Sequence, residues 1–202
     1  MKMAKIIRED YYFENTGKEN TQDVIEAVRK RLEEVSVEYV IVASTTGDTG
    51  IKLSDALGDS VKIVSVSESA LVSEWGDKYP CMDTEKKAEL ERRGVIVAEK
   101  TPYFFHSSPL DGGKWSAPSP EVIVRETLYS FGQGMKVAVE VTMIAVACGY
   151  IKPFQDVIAI GGSGRGADTA ALLRATFPNL IFSKDPSKRL IIKEVIAMPR
   201  GK

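Results

Sequence analysis

One histidine and two cysteines occur in 202 residues, and this scarcity excludes several chemistries at once. A structural zinc held by four cysteines, or by two cysteines and two histidines, is beyond one copy of the chain. So is a catalytic zinc on three histidines. Cys148, inside the apolar stretch Met143–Cys148, reads as a small buried core residue. Cys81 follows Pro80 and reads as a loop residue, so a disulfide between the two is not expected. Only three Gln and three Asn accompany many Glu and Lys, a bias shared with thermophilic proteins. No apolar run approaches the ~20 residues that span a bilayer. The longest, Val137–Cys148, is interrupted by Glu140 and Thr142. The start, Met1–Tyr12, lacks the apolar core of a signal peptide. Charge of one sign is also lacking: 27 basic side chains face 28 acidic ones. Blanketing nucleic acid or an anionic membrane takes a basic excess. These absences lead us to expect a cytoplasmic protein without nucleic-acid or membrane partners.

What is present is ordinary globular material, 44% hydrophobic and 27% charged, which is no composition for disorder. No linker rich in Pro, Gly or Ser divides residues 1–202, so a single domain is expected. The rhythm is alternating strand and helix. Val24, Ile25, Val28, Leu32 and Val35 share one face of a helix over 21–35, capped by Asn20 or Thr21. The continuous apolar run at 39–43 reads as a strand covered on both faces; 61–66, 95–98 and 156–160 read as further strands, 61–66 buried and 156–160 inner. Helices are expected over 51–57, closed by Gly58, and over 84–93, closed by Gly94. Ser119-Pro120-Glu121 starts a helix to about Phe131. A second apolar helix spans 135–148, and Ala167–Ala175 reads as a further helix. Leu180–Phe182 and Leu190–Met198 read as final strands, the last at an edge. The pattern predicts a three-layer α/β/α fold with a mostly parallel sheet. Between these elements, the stretch 99–118, with Tyr103, Phe104, Phe105, His106 and Trp115, is long enough to be a lid or binding loop.

Chemistry concentrates in two strand-to-helix turns. The first holds Ser44, Thr45, Thr46, Gly47, Asp48 and Thr49, leading to Gly50. The second holds Gly161, Gly162, Ser163, Gly164, Arg165 and Gly166, then Ala167, Asp168 and Thr169. A helix amino end leaves four N–H groups without partners and carries about half a positive charge. Glycines let the backbone approach an anion, hydroxyls add donors, and a phosphate dianion fits such a turn. Neither turn is a Walker A loop, since Ala167-Asp168 stands where Lys-Ser/Thr is required. Gly162–Ala167 does satisfy the relaxed dinucleotide pattern, with Asp185 near the spacing of a ribose-binding acid. That turn sits too late for the second half of a Rossmann domain. Gly132, Gln133, Gly134, Met135 and Lys136 form a possible third ligand segment, or a plain helix break. Glu140 is either a solvated residue or a polar contact in the cleft. The last strand and Tyr11–Phe13 are either a subunit contact in a homo-oligomer or buried within one copy.

At these residues the chain resembles the carboxyl-terminal α/β domain of pyruvate kinases. There a strand enters a Thr/Ser-Gly-x-Ser/Thr turn that binds a phosphate of an allosteric sugar bisphosphate. Thr45-Thr46-Gly47-Asp48-Thr49 matches that turn, and the helix and strand to Val66 match its continuation. More closely, Ser44–Gly50, Phe131–Val137 and Gly161–Thr169 resemble the stand-alone, mostly archaeal proteins built on this domain. The resemblance covers nearly the whole chain and implies a bound flavin mononucleotide (FMN), with no settled reaction. Two departures matter. The catalytic barrel of pyruvate kinase, typically ~250 residues, cannot fit in this chain. Asp48 stands where the enzyme's turn is usually basic, which repels a sugar bisphosphate. The expected function is therefore binding of FMN, a phosphorylated small molecule. A flavin-dependent oxidoreductase, a phosphotransferase or isomerase acting on a small phosphorylated metabolite, and a sensor of such a metabolite are the alternatives. Asp48, Asp168, Arg165, Lys136 and His106 are the candidate reactive groups.

Overall fold

A computed structural model describes residues 5–106 and 119–201. Trp115 and the rest of the stretch 107–118 lie outside them. The strands are β1 (Tyr11–Phe13), β2 (Tyr39–Ala43), β3 (Lys62–Val66), β4 (Ile96–Ala98), β5 (Asp156–Gly161), β6 (Thr169–Arg174) and β7 (Ile191–Pro199). The α-helices are α1 (Thr21–Leu32), α2 (Asp48–Leu57), α3 (Thr84–Arg92), α4 (Pro120–Tyr129) and α5 (Gln133–Ala147). The strands form one sheet in the order β1-β7-β6-β5-β2-β3-β4. Only β6 runs against its neighbours, so the α/β fold has a mostly parallel sheet.

Side chains alternate across each strand, which sends consecutive residues to opposite cores. Val40, Val42, Ile63, Ile158 and Ile160 pack with Val24, Ile25 and Val28 of α1, Leu53 of α2 and Leu90 of α3. Ile41, Val64, Val157 and Ala159 meet α5, with Val124 and Leu128 of α4 behind it. Helices thus cover both faces. Helix α5 is apolar almost all round because the sheet lies on one side and α4 on the other.

Four expectations change. Ala167–Ala175 is not a helix but contains β6, paired antiparallel to β5 from Gly161↔Thr169 to Asp156↔Arg174. The short link between β5 and β6 cannot hold the dozen residues a parallel crossover needs, so the chain folds back. Alanine favours helices intrinsically, but here Ala170 and Ala171 bring α1 and α5 close to opposite faces of the sheet. Leu180–Phe182 is no strand; Pro178–Leu180 forms a 3-10 turn. The last strand is not an edge, because β1 pairs outside it, Tyr11↔Ala197 to Phe13↔Pro199. Tyr11 and Phe13 pack inward while Tyr12 is exposed. Cys148 caps the carboxyl end of α5 and is exposed rather than buried.

Among the described residues, no helix is long and apolar enough to cross a membrane.

Candidate functional site

Parallel strands joined by helices place the amino ends of α1, α2 and α5 at one edge, beyond the carboxyl ends of the strands. The chain leaves β2 toward β3 on one side and later returns to place β5 on the other. The crevice between β2 and β5 is therefore a topological switch point, the usual ligand position in such sheets.

Helix α2 begins at Asp48, three residues before the expected Ile51, so the first turn is built from Asp48, Thr49 and Gly50. Gly47 caps it with φ 91°, a left-handed conformation that favours glycine. The Ser44 hydroxyl accepts from Gly50 N at 3.1 Å, and Gly47 N donates to the Ser44 carbonyl at 3.3 Å. Among the described residues, the N–H groups of Thr45, Thr46, Asp48 and Thr49 find no acceptor. The hydroxyls are less available than the sequence implies. Thr45 Oγ1 donates to Glu68 Oε1 and Thr46 Oγ1 to Asp48 Oδ2, each at 2.8 Å. Asp48 Oδ1 also accepts from Lys86 Nζ at 2.5 Å. The Lys86 ammonium, then the Thr46 hydroxyl, hold the Asp48 carboxyl below its usual pKa. The turn thus offers its amides, with the Thr45 and Thr46 hydroxyls engaged, beside a charge-compensated carboxylate.

The second turn does not repeat this design. It enters strand β6, so no helix amino end follows Gly161–Gly166 and the dinucleotide pattern loses its physical basis. Asp168, fully buried, accepts from Gly17 N and Ser163 N, each at 3.1 Å, and from Thr169 Oγ1 at 2.9 Å. Ala167 N donates to Thr21 Oγ1 at 3.0 Å, fixing the turn to the start of α1. The glycines serve close packing with protein. A Cβ on Gly161 would sit 2.1 Å from the Gly134 carbonyl oxygen, and one on Gly162 2.3 Å from that of Gly166. Gly164 and Arg165 are exposed at the tip.

Helix α5 starts at Gln133, two residues before the expected Met135, with Gly132 as its cap at φ 110°. A Cβ on Gly134 would lie 2.2 Å from Thr169 Oγ1, so the helix rests directly on the β5–β6 turn. Met135 is core. Lys136 and Glu140 are both buried, Nζ to Oε2 2.8 Å apart. Glu140 Oε1 accepts from Phe104 N and Phe105 N, each at 2.9 Å. Glu140 is therefore an internal anchor for the aromatic segment after β4. Phe105 is itself buried in the core.

The structure joins Thr45, Tyr103 and His106, singled out in the sequence, to Glu68, Trp75 and Arg125, which are not. Glu68, after β3, accepts from Thr45 on one oxygen and from the Tyr103 hydroxyl on the other. Burial, with Glu68 beside it, pushes the Tyr103 phenol far above the ordinary tyrosine range, so it stays a donor. Tyr103 stacks on Trp75 with ring centroids 5.8 Å apart, and His106 meets both rings edge-on. Arg125 Nη1 lies 3.2 Å from His106 Nδ1; an arginine can only donate, so that nitrogen accepts. Thr45, Glu68 with Trp75, and Tyr103 with His106 come from three separate segments after β2, β3 and β4, and Arg125 from α4; the rule that ligands gather beyond strand carboxyl ends covers the first three.

Among the candidate reactive groups, Asp168 is saturated with donors, Lys136 is paired with Glu140, and His106 is engaged by Arg125. The described residues hold no group of three or more His, Cys, Asp or Glu able to bind a metal ion. An apolar groove of about 650 Å³ between α4, α5 and the approach to β7 includes none of the turn residues. No family model matches the chain.

Proposed function

We propose that the chain binds a phosphorylated small molecule, FMN, with the phosphate on the Thr45–Thr49 amides. Four unpartnered N–H groups in the turn into α2 carry this reading, since free amides at a helix amino end are natural donors to a dianion. The pair formed by Asp48 and Lys86 is a compensated charge at the mouth, better suited to one phosphate than to a bisphosphate. The β5–β6 turn and the start of α5 act as walls of the crevice rather than as further phosphate seats. A stand-alone domain of the pyruvate kinase carboxyl-terminal type is the fold we assign, on the phosphate turn and the mostly parallel sheet. A bound flavin would supply hydride or single-electron transfer. The chain's own part is to hold the phosphate and keep the crevice edge rigid through Asp168 and Glu140.

The test compares FMN with riboflavin, which lacks the phosphate, by calorimetry on flavin-free protein. FMN is expected to bind at least about tenfold more tightly, the worth of one charge-assisted hydrogen bond. Equal affinities, or no uptake of either, would remove the reading. Mass spectrometry of any small molecule carried through purification supplies an independent answer.

A further inference from the structure

The 3-10 turn Ala70–Trp75 begins with Ser69 accepting from Leu71 N at 3.4 Å and ends at Gly76 in the left-handed region. It presents Trp75 at the carboxyl edge of the sheet with 56% of its surface exposed. One indole face is covered by Tyr103, whose ring is tilted only 16° from it. His106 closes the side, at 81° to the indole and 72° to the phenol. The stack is fixed from beneath, because Tyr103 is tied to Glu68 and Glu68 to Thr45 of the phosphate turn. A single carboxylate therefore spans the distance between the unpartnered amides and the aromatic stack. An electron-rich indole gains most from an electron-poor ring laid on it.

We infer that the open face of Trp75 is a stacking platform for a planar heteroaromatic ring carried by the same molecule whose phosphate sits on the turn. The ligand class is thereby narrowed to ring-bearing phosphomonoesters, flavin or nucleotide, over sugar phosphates and inorganic phosphate. The inference rests on the phosphate reading, and its test separates the two.

Calorimetric affinities for FMN, riboflavin and ribose 5-phosphate are compared among the wild type, Trp75→Ala and Trp75→Phe. Trp75→Ala is expected to weaken FMN by about 5- to 150-fold, the usual worth of one ring stacked on an aromatic side chain. Trp75→Phe retains most of the affinity, and ribose 5-phosphate is unaffected by either change. The fluorescence of bound FMN, quenched by contact with the indole, recovers in Trp75→Ala. Unchanged FMN affinity in Trp75→Ala overturns the platform, even while FMN outcompetes riboflavin and the phosphate seat stands. An equal loss for ribose 5-phosphate also overturns it, because the effect is then structural. Equal binding of FMN and riboflavin, both dependent on Trp75, sustains the platform and removes the phosphate seat. Absence of binding by all three probes overturns both.

Discussion

Lys136 and Glu140 stand one turn apart on α5, both nearly inaccessible to water, with the ammonium 2.8 Å from one carboxylate oxygen. The other oxygen takes the amides of Phe104 and Phe105, so one side chain neutralises a buried charge and moors the segment after β4. Removing one member leaves the other charged in a low-dielectric site. Glu140→Gln is expected to cost about 3–5 kcal/mol in urea denaturation, whereas Lys136→Met with Glu140→Leu recovers much of that loss. A double variant no more stable than the single one would refute this account.

Asp48 governs the acid side of the stability curve near the turn. Its folded-state pKa lies below its ordinary value of 3.8, through Lys86 first and Thr46 second. The pairing therefore stabilises fully above that value and is lost as pH falls through the lower, folded one. Asp48→Asn should flatten the melting temperature between about pH 4 and pH 2 relative to the wild type. The same change removes a negative charge beside the proposed phosphate. FMN binding should tighten about fivefold at low salt, and less at high salt.

Gly161→Ala tests the contact between β5 and α5. The new Cβ would meet a backbone carbonyl at 2.1 Å, which cannot rotate away as a side chain can. A loss of about 3 kcal/mol or more is expected on denaturation, the upper range for overpacking. A near-neutral result would mean that α5 shifts freely on the sheet.

Much of this architecture is legible from residue order, and the failures share a cause. Helix α1 shows in the spacing of Val24, Ile25 and Val28, and the stops at Gly58, Gly94 and Gly149 follow from their left-handed or unusual backbone. Strands β2, β3 and β5 show as apolar runs because both of their faces are covered. Strand β6 does not, since Ala170 and Ala171 are small for reasons of helix approach, and local preference says helix. Glycines advertise a missing Cβ without revealing what fills the space. At Gly161, Gly162 and Gly166 the neighbour is the chain itself. Tyr103 stands out in its loop, but its partners Glu68 and Trp75 do not, because the three are far apart in the chain and gather only when β3 and β4 align.

Arg31 offers a test of the outer sheet. Its guanidinium, 2% exposed, reaches Asp10 at 2.7 Å, Glu34 at 3.4 Å, the Glu9 carbonyl at 3.2 Å, and Glu194. Arg31→Met should cost about 1–3 kcal/mol, by losing charge-assisted hydrogen bonds to Asp10, the Glu9 carbonyl and Glu194, since Arg8 still pairs with Glu34 and Glu194. Amide hydrogen exchange should accelerate most at Tyr11–Phe13, because Asp10 and Glu9 flank that strand. Uniform acceleration across the sheet would show that Arg31 supports global stability only.

Pairing Tyr11 with Ala197 joins β1 to β7, strands far apart in the chain. Synthesis runs from amino to carboxyl end, so β1 leaves the ribosome long before its partner β7 exists. Until β7 emerges, β1 must wait as an unpaired ribbon, and β6 keeps one edge open to stray strands. Fidelity during translation therefore depends on how quickly β7 slides between the two.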